Sequence, residues 1–175
     1  MDADVVIVGN GPIGAALSVL LAQRGWRVFV LERRARPYRL PRATSFDGET
    51  ARLLAATGIG PELAAITVPA NGYQWQTAAG EALLDIEFTA TGRYGWPDAN
   101  TMHQPALEEL LAARAAALSG GTALPDGTTL PGVTVLCGHE VVSIVDGNER
   151  VRVTATTDDD ATRVFSARWV VGCDG

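Results

Sequence analysis

Near the amino end, hydrophobic positions come in unbroken blocks rather than in alternation. Asp4-Val5-Val6-Ile7-Val8 is a β-branched run, apolar toward both faces, as a strand in the middle of a parallel sheet must be. Gly9-Asn10-Gly11-Pro12-Ile13-Gly14 follows without a spacer, then helix-forming residues from Ala15 to Arg24 and a stop at Gly25. Arg27-Val28-Phe29-Val30-Leu31 is a second apolar strand, ending on Glu32. The order strand, glycine turn, helix, strand predicts a βαβ unit. Val5 to Gln23 carries no charge over 19 positions, a length that also suits a signal peptide or a membrane span. Glycines and a proline interrupt that run, and the acidic Asp2 and Asp4 ahead of it have the wrong sign for a signal. A buried strand and a buried helix account for it, and no membrane association is expected.

Farther along, the pattern changes character. A helix is predicted from Gly48 to Thr57, with Asp47 as its N-cap and Gly58 closing it. Tyr73–Thr77 alternates, turns at Ala79-Gly80-Glu81, and continues with Leu84, Ile86 and Phe88 on one face, a hairpin signal. Ala106–Leu118 places Leu107, Leu110, Leu111 and Leu118 on one side of a helix, with Pro105 in its first turn. After a Gly/Pro/Thr loop at 120–131, four short strands near 133–137, 140–145, 150–156 and 163–167 read as one β-meander. A last apolar run, Trp169–Val171, enters Gly172-Cys173-Asp174-Gly175.

The βαβ unit has its own chemistry. Gly9 permits the tight turn, Gly11 lets the backbone approach a pyrophosphate, and Gly14 lets helix and strand pack closely. The helix start at Pro12, Ile13 and Gly14 then offers the N–H groups that follow Pro12, which has none of its own, and a partial positive charge to phosphates. Glu32, 18 positions after Gly14, stands where a carboxylate accepts hydrogen bonds from ribose hydroxyls. An acid there selects an unphosphorylated adenosine ribose, hence FAD or NAD rather than NADP; the glycine motif does not separate those two.

Composition narrows the field further. The 175 residues are 47% hydrophobic and 19% charged, which is globular. All 14 basic residues are arginine and the net charge is −6, so a nucleic-acid partner is not expected. Cys137 and Cys173 lie far apart with no CxxC spacing, and there are two histidines, so neither a disulfide framework nor a metal site is expected and a reducing cytoplasm fits. Asp158-Asp159-Asp160 reads as a solvated turn. Trp75 and Trp96 read as core or lid packing, His103 as a locally packed side chain, and Cys173 as a buried spectator.

Five arginines lie between Arg33 and Arg42, of which Arg34, Arg36 and Arg39 read as a solvated loop. With Leu31-Glu32-Arg33-Arg34, Pro41-Arg42-Ala43 and Phe46-Asp47-Gly48-Glu49-Thr50, the chain resembles the single-component FAD-dependent aromatic hydroxylases of the p-hydroxybenzoate hydroxylase fold. The branch acting on 3-(3-hydroxyphenyl)propionate and the branch that tailors aromatic polyketides are the most similar. The resemblance implies a Rossmann-like α/β FAD-binding domain carrying an inserted β-meander. It implies that Arg42 reaches the flavin, Arg33 the adenosine part, Gln104 of His103-Gln104-Pro105 the FAD, and backbone at Val141 the adenine. Gly172-Cys173-Asp174-Gly175 matches the family's second fingerprint, which places Asp174 near the flavin pyrophosphate. For Gln104 a helix-capping role stays open, and for Asp174 a simple turn.

The resemblance further assigns residues 1–68 and 98–175 to an FAD-binding domain and 69–97 to strands that begin a substrate domain. The family's third fingerprint, a Gly-Asp segment, is absent, so the remainder is expected in the same or a separate chain. The implied activity is hydroxylation of a small aromatic substrate using O2, with NAD(P)H as a transient reductant. No residue presents itself as acid, base or nucleophile; Asp47 is the one tempting carboxylate, and it reads better as an N-cap. A non-catalytic FAD-binding module and an NAD-dependent dehydrogenase are the alternatives.

Overall fold

The computed structural model describes residues 3–38, 40–123 and 129–175. Arg39 and part of the 120–131 loop therefore lie outside the described residues. The first apolar run is β1 (Val5–Val8). The glycine turn leads into α1 (Pro12–Ala22), which begins three residues earlier than expected. Pro12 causes this, because a proline in the first turn lacks only an N–H that has no intrahelical partner. Gly25 turns the chain at φ 82° into β2 (Val28–Glu32).

There follow β3 (Ser45–Asp47), α2 (Gly48–Leu54), a π-turn over Ala55–Ile59, α3 (Gly60–Ala65) and β4 (Thr67–Pro69). Gly58 takes the left-handed φ of 96° expected of a closing glycine, yet the chain re-enters a helix at once with Pro61 in its first turn. The predicted hairpin is β5 (Gly72–Gln76) and β6 (Ala82–Glu87). Next come β7 (Ala99–Met102), α4 (Gln104–Ala117) and two-residue strands β8 (Thr122–Ala123) and β9 (Thr129–Leu130). The chain finishes with β10 (Val133–Cys137), β11 (His139–Val145), β12 (Val151–Thr157), β13 (Thr162–Ala167) and β14 (Trp169–Gly172).

The chain divides into two compact units, Met1–Arg39 with Leu111–Gly175, and Leu40–Leu110. In the first, a four-stranded sheet runs β10-β2-β1-β14, and each neighbouring pair is parallel. Its two faces explain the unbroken apolar runs. Val5, Ile7, Val28, Val30 and Val133 pack with Val19 and Ala22 of α1 and with Ala115 and Leu118. Val6 and Leu31, on the other face, pack with Val153, Ala155, Phe165 and Ala167. Each such large side chain contributes about 1.5–3 kcal/mol on removal from water. Ser18, buried in the α1 stripe, donates its hydroxyl to the Ala15 carbonyl at 2.8 Å, so its burial leaves no polar group unmatched.

One expectation is corrected here. β10 is not a meander strand: it pairs in parallel with β2, Val133 opposite Val28 through Cys137 opposite Glu32. The meander is the antiparallel sheet β11-β12-β13 alone. β10 lies at the edge of its sheet with Thr134, Val135 and Cys137 exposed, so it lacks the run apolar on both faces that marks β1, and its pattern offers no sign of which sheet it joins.

The second unit contains an antiparallel sheet of order β3-β7-β4 and the β5–β6 hairpin. In the hairpin Tyr73 stands opposite Ile86 and Trp75 opposite Leu84. Trp75 belongs to no core: it is 53% exposed and meets Tyr73 edge-on at 6.0 Å. The alternation that predicts the strand says nothing about whether a partner covers its face. Among the described residues no helix is long and apolar enough to cross a membrane.

Candidate functional site

Three chain segments meet at the carboxyl ends of β1 and β14. Gly9 lies at φ 99°, in the left-handed region where a Cβ is strained. A Cβ there would also sit 2.7 Å from the Cys173 carbonyl oxygen and 2.8 Å from both the Asp174 nitrogen and Cα. At Gly14 a Cβ would overlap the Gly9 carbonyl oxygen and lie 3.3 Å from the Cys173 Cβ. The turn is therefore closed against the Cys173–Asp174 backbone, and glycine is required at both positions. The Cys173 N–H donates to the Val8 carbonyl at 2.7 Å, fixing the approach. Gly11 has φ −73° and ψ −176°, ordinary extended backbone, so nothing in its own conformation demands glycine.

That helix start has the features of an anion-binding end. Gly11 is the N-cap of α1 and supplies no side-chain cap, and no acid occupies the first turn. The opening N–H groups of a helix have no intrahelical carbonyl partner and concentrate partial positive charge. Ile13 is 71% exposed beside them, an apolar side chain held at the surface.

Glu32 ends β2 and ties the site together. Its Oε2 accepts from the Asn10 N–H at 2.9 Å, and its Oε1 from the Arg34 N–H at 2.9 Å. Each oxygen has a second lone pair, so the carboxylate retains capacity for hydroxyl donors while being held in place. Asn10 enters the site through its backbone, a role that residue-type reasoning cannot see. Cys137 lies opposite Glu32 in the sheet; burial and the Glu32 charge push its thiol above the usual range. Burial, then Asp174, does the same to Cys173, which is half-buried rather than enclosed.

Arg33, Arg34 and Arg36 are exposed, with the Arg34 guanidinium 4.7 Å from the Tyr38 ring centre. The Val141 side chain is partly buried against the core cluster that contains Val153, Ala155 and Phe165, and a register shift follows it before Ser143. Asp158–Asp160 is an exposed turn, and the Thr157 hydroxyl caps Asp159.

In the second unit, Gln104 and Arg42 come together. Gln104 is 5% exposed, and its Oε1 accepts from the Arg42 and Ala43 N–H groups, both at 2.8 Å. Its Nε2 donates to Glu108 Oε1 at 2.7 Å. Gln104 is the first residue of α4 and caps nothing; it anchors the segment ahead of β3. Glu108, one turn farther along α4, went unrecognised in the sequence, although its i,i+4 spacing from Gln104 was the available signal. Asp47 is the N-cap of α2, accepting from the Thr50 N–H at 2.8 Å, a bond that holds its carboxyl below the ordinary 3.8. The His103 side chain is exposed rather than packed, and its carbonyl accepts from the Ala106 and Leu107 N–H groups.

A glycine cradle that a Cβ would fill, an uncapped helix start and a terminal acid suit a dinucleotide, and comparison with known proteins narrows it. A protein of Rhodococcus jostii (strain RHA1) described as "Probable NADH-specific resorcinol 4-hydroxylase" is 42% identical over 172 residues, 98% of this chain and 30% of its own length. A 3-(3-hydroxy-phenyl)propionate/3-hydroxycinnamic acid hydroxylase of Comamonas testosteroni is 32% identical over 174 residues, 99% of this chain and 27% of that protein. Among solved structures, the OxyS anhydrotetracycline hydroxylase of Streptomyces rimosus superposes with a TM-score of 0.78 at 30% identity, over 100% of this chain and 32% of that one. The chain thus spans about 30% of the length of these relatives. The FAD binding domain family matches residues 2–175, the glycine turn, Glu32 and Asp174 included, and this chain belongs to it.

Proposed function

We propose that this chain is the amino-terminal, cofactor-binding portion of an FAD-dependent monooxygenase that hydroxylates a phenolic or polyketide aromatic ring. The observation that carries the reading is the cradle formed by Gly9 and Gly14, closed by the Cys173–Asp174 backbone and bounded by Glu32. In this reading the Gly9–Gly14 turn, with Gly11, Pro12 and Ile13 at the helix start, holds the pyrophosphate. Glu32 receives the adenosine ribose hydroxyls, Arg33 and backbone at Val141 contact the adenosine part, and Asp174 lies by the pyrophosphate. Arg42 and Gln104 serve the flavin end, and strands 69–97 open the substrate domain. The support for FAD over NAD is the family match together with Arg42, Gln104 and the Asp174 segment, none of which a dehydrogenase needs.

FAD held by these residues would supply the two-electron and O2 chemistry that protein side chains lack. Overall, one oxygen atom enters an aromatic C–H bond as hydroxyl and the other leaves as water, NAD(P)H providing the electrons. The residues of this chain bind, orient and neutralise charge; none is assigned a proton transfer. The cytoplasm, where NAD(P)H is available and both cysteines stay reduced, is the proposed compartment. The full-length gene product, expressed in a flavin-replete host, is expected to be yellow and to oxidise NAD(P)H faster when a phenol is added. A colourless protein that cannot take up FAD would overturn the reading.

A further inference from the structure

We propose that Glu108 is a positioning residue for the FAD site, acting through Gln104 on the backbone of Arg42 and Ala43; the proposal rests on the reading of this chain as an FAD-binding protein. A glutamine amide is nearly symmetric in shape but opposite in chemistry at its two ends, and two rotamers related by a flip fit the same space. Here both ends are specified. The Arg42 and Ala43 N–H groups, each at 2.8 Å, require an oxygen at their end. Glu108, an acceptor without a proton to donate, requires the NH2 at the other end, at 2.7 Å. Gln104 is 5% exposed, so water does not readily substitute for either partner.

Removing the carboxylate removes the acceptor that holds the NH2 end. The buried Gln104 is then held at its oxygen end only, and its NH2 lacks this acceptor, which loosens the segment that carries Arg42. Those two N–H groups lie just ahead of β3, so their shared bond to Gln104 sets where the chain enters that strand. Glu108 thus holds the far end of Gln104, and through it helps preset the Arg42 segment before a ligand arrives.

The test uses variants of the full-length gene product and two readouts: hydrogen exchange of the Arg42 and Ala43 amides, and FAD affinity by quenching of flavin fluorescence. Glu108→Ala is expected to speed exchange at both amides and weaken FAD about tenfold, the scale of one charge-assisted hydrogen bond. Glu108→Gln keeps an acceptor oxygen for Gln104 and is expected to restore both readouts. Gln104→Glu places two carboxylates against each other and is expected to bind FAD progressively more weakly as pH rises from 5 to 8, whereas the parent protein shows no such trend. The exchange pair Gln104→Glu with Glu108→Gln reverses the polarity of the contact. The amide introduced at position 108 then donates to a carboxylate at position 104 that still accepts from both N–H groups. That double variant is expected to recover affinity and lose the pH trend.

Normal exchange and affinity in Glu108→Ala, or a double variant no better than Gln104→Glu, would overturn the proposal. If Gln104→Glu does not fold, the comparison of Glu108→Ala with Glu108→Gln decides alone. If the parent protein takes up no FAD, the cofactor reading fails while amide exchange still decides what Glu108 does.

Discussion

Replacing Gly9 by alanine tests the closure of the cradle against the second fingerprint. Two separate costs are built into the site. At φ 99° a Cβ is conformationally strained, by about 1–3 kcal/mol. The same Cβ would approach the Cys173 carbonyl oxygen to 2.7 Å and the Asp174 backbone to 2.8 Å, where ordinary contacts begin near 3.4 Å. Those neighbours are backbone atoms, tied by the Cys173 N–H bond to Val8, and cannot swing aside as a side-chain tip can. Forcing atoms into such a contact costs about 1–3 kcal/mol more. The sum, on the order of 2–6 kcal/mol, is a large part of the stability of a typical domain, about 5–15 kcal/mol. Gly80→Ala is the internal control, because Gly80 has φ 87° but nothing within 4 Å of the added atom, so only the strain term applies. Urea denaturation followed by circular dichroism should place Gly9→Ala well below Gly80→Ala in stability, and its FAD affinity should fall because β14 and the turn are pushed apart. Equal losses in the two variants would refute the steric argument.

Further outcomes follow from the same geometry. Glu32→Ala removes the acceptor for the Asn10 and Arg34 N–H groups and is expected to weaken FAD binding about tenfold or more by fluorescence titration; unchanged affinity would count against the ribose contact. Asp47→Ala should lower stability by about 0.5–2 kcal/mol through loss of the α2 N-cap. The Thr50 N–H depresses the Asp47 carboxyl, so this contribution is fully present above its ordinary value of 3.8 and disappears as pH falls through the lowered one, which acid denaturation of the two proteins would show. Cys137 should react with a neutral alkylating reagent at pH 8 more slowly than a free cysteine, and Glu32→Gln should speed it, since the Glu32 charge is one of the two causes raising the thiol.

The βαβ unit was legible because each part of it answers to a local requirement. Val5–Val8 is apolar on both faces because helix and meander cover both, and Gly9 and Gly14 are glycine because backbone fills the space beside them. Between residues 45 and 102 the reading thinned. β3, β4 and β7 are three or four residues long and mix polar with apolar positions, so neither a helical nor an alternating period can develop. α3 hid behind Gly60-Pro61, a pair that resembles a loop until the proline is placed in a first turn. The partnership of β10 with β2 spans about a hundred residues of sequence and is decided by tertiary contacts. Gln104 was reached through resemblance as a flavin contact; its bonds to Arg42, Ala43 and Glu108 depend on how distant segments meet.

The central claim is that this chain holds FAD at the Gly9–Gly14 turn with Glu32 at the ribose. Calorimetric titration of the flavin-stripped gene product with FAD and, separately, with NAD tests it most directly. Saturable one-to-one binding of FAD is expected, about 100-fold or more tighter than NAD, and weakened in Glu32→Ala. Tight binding of NAD with no uptake of FAD would contradict it.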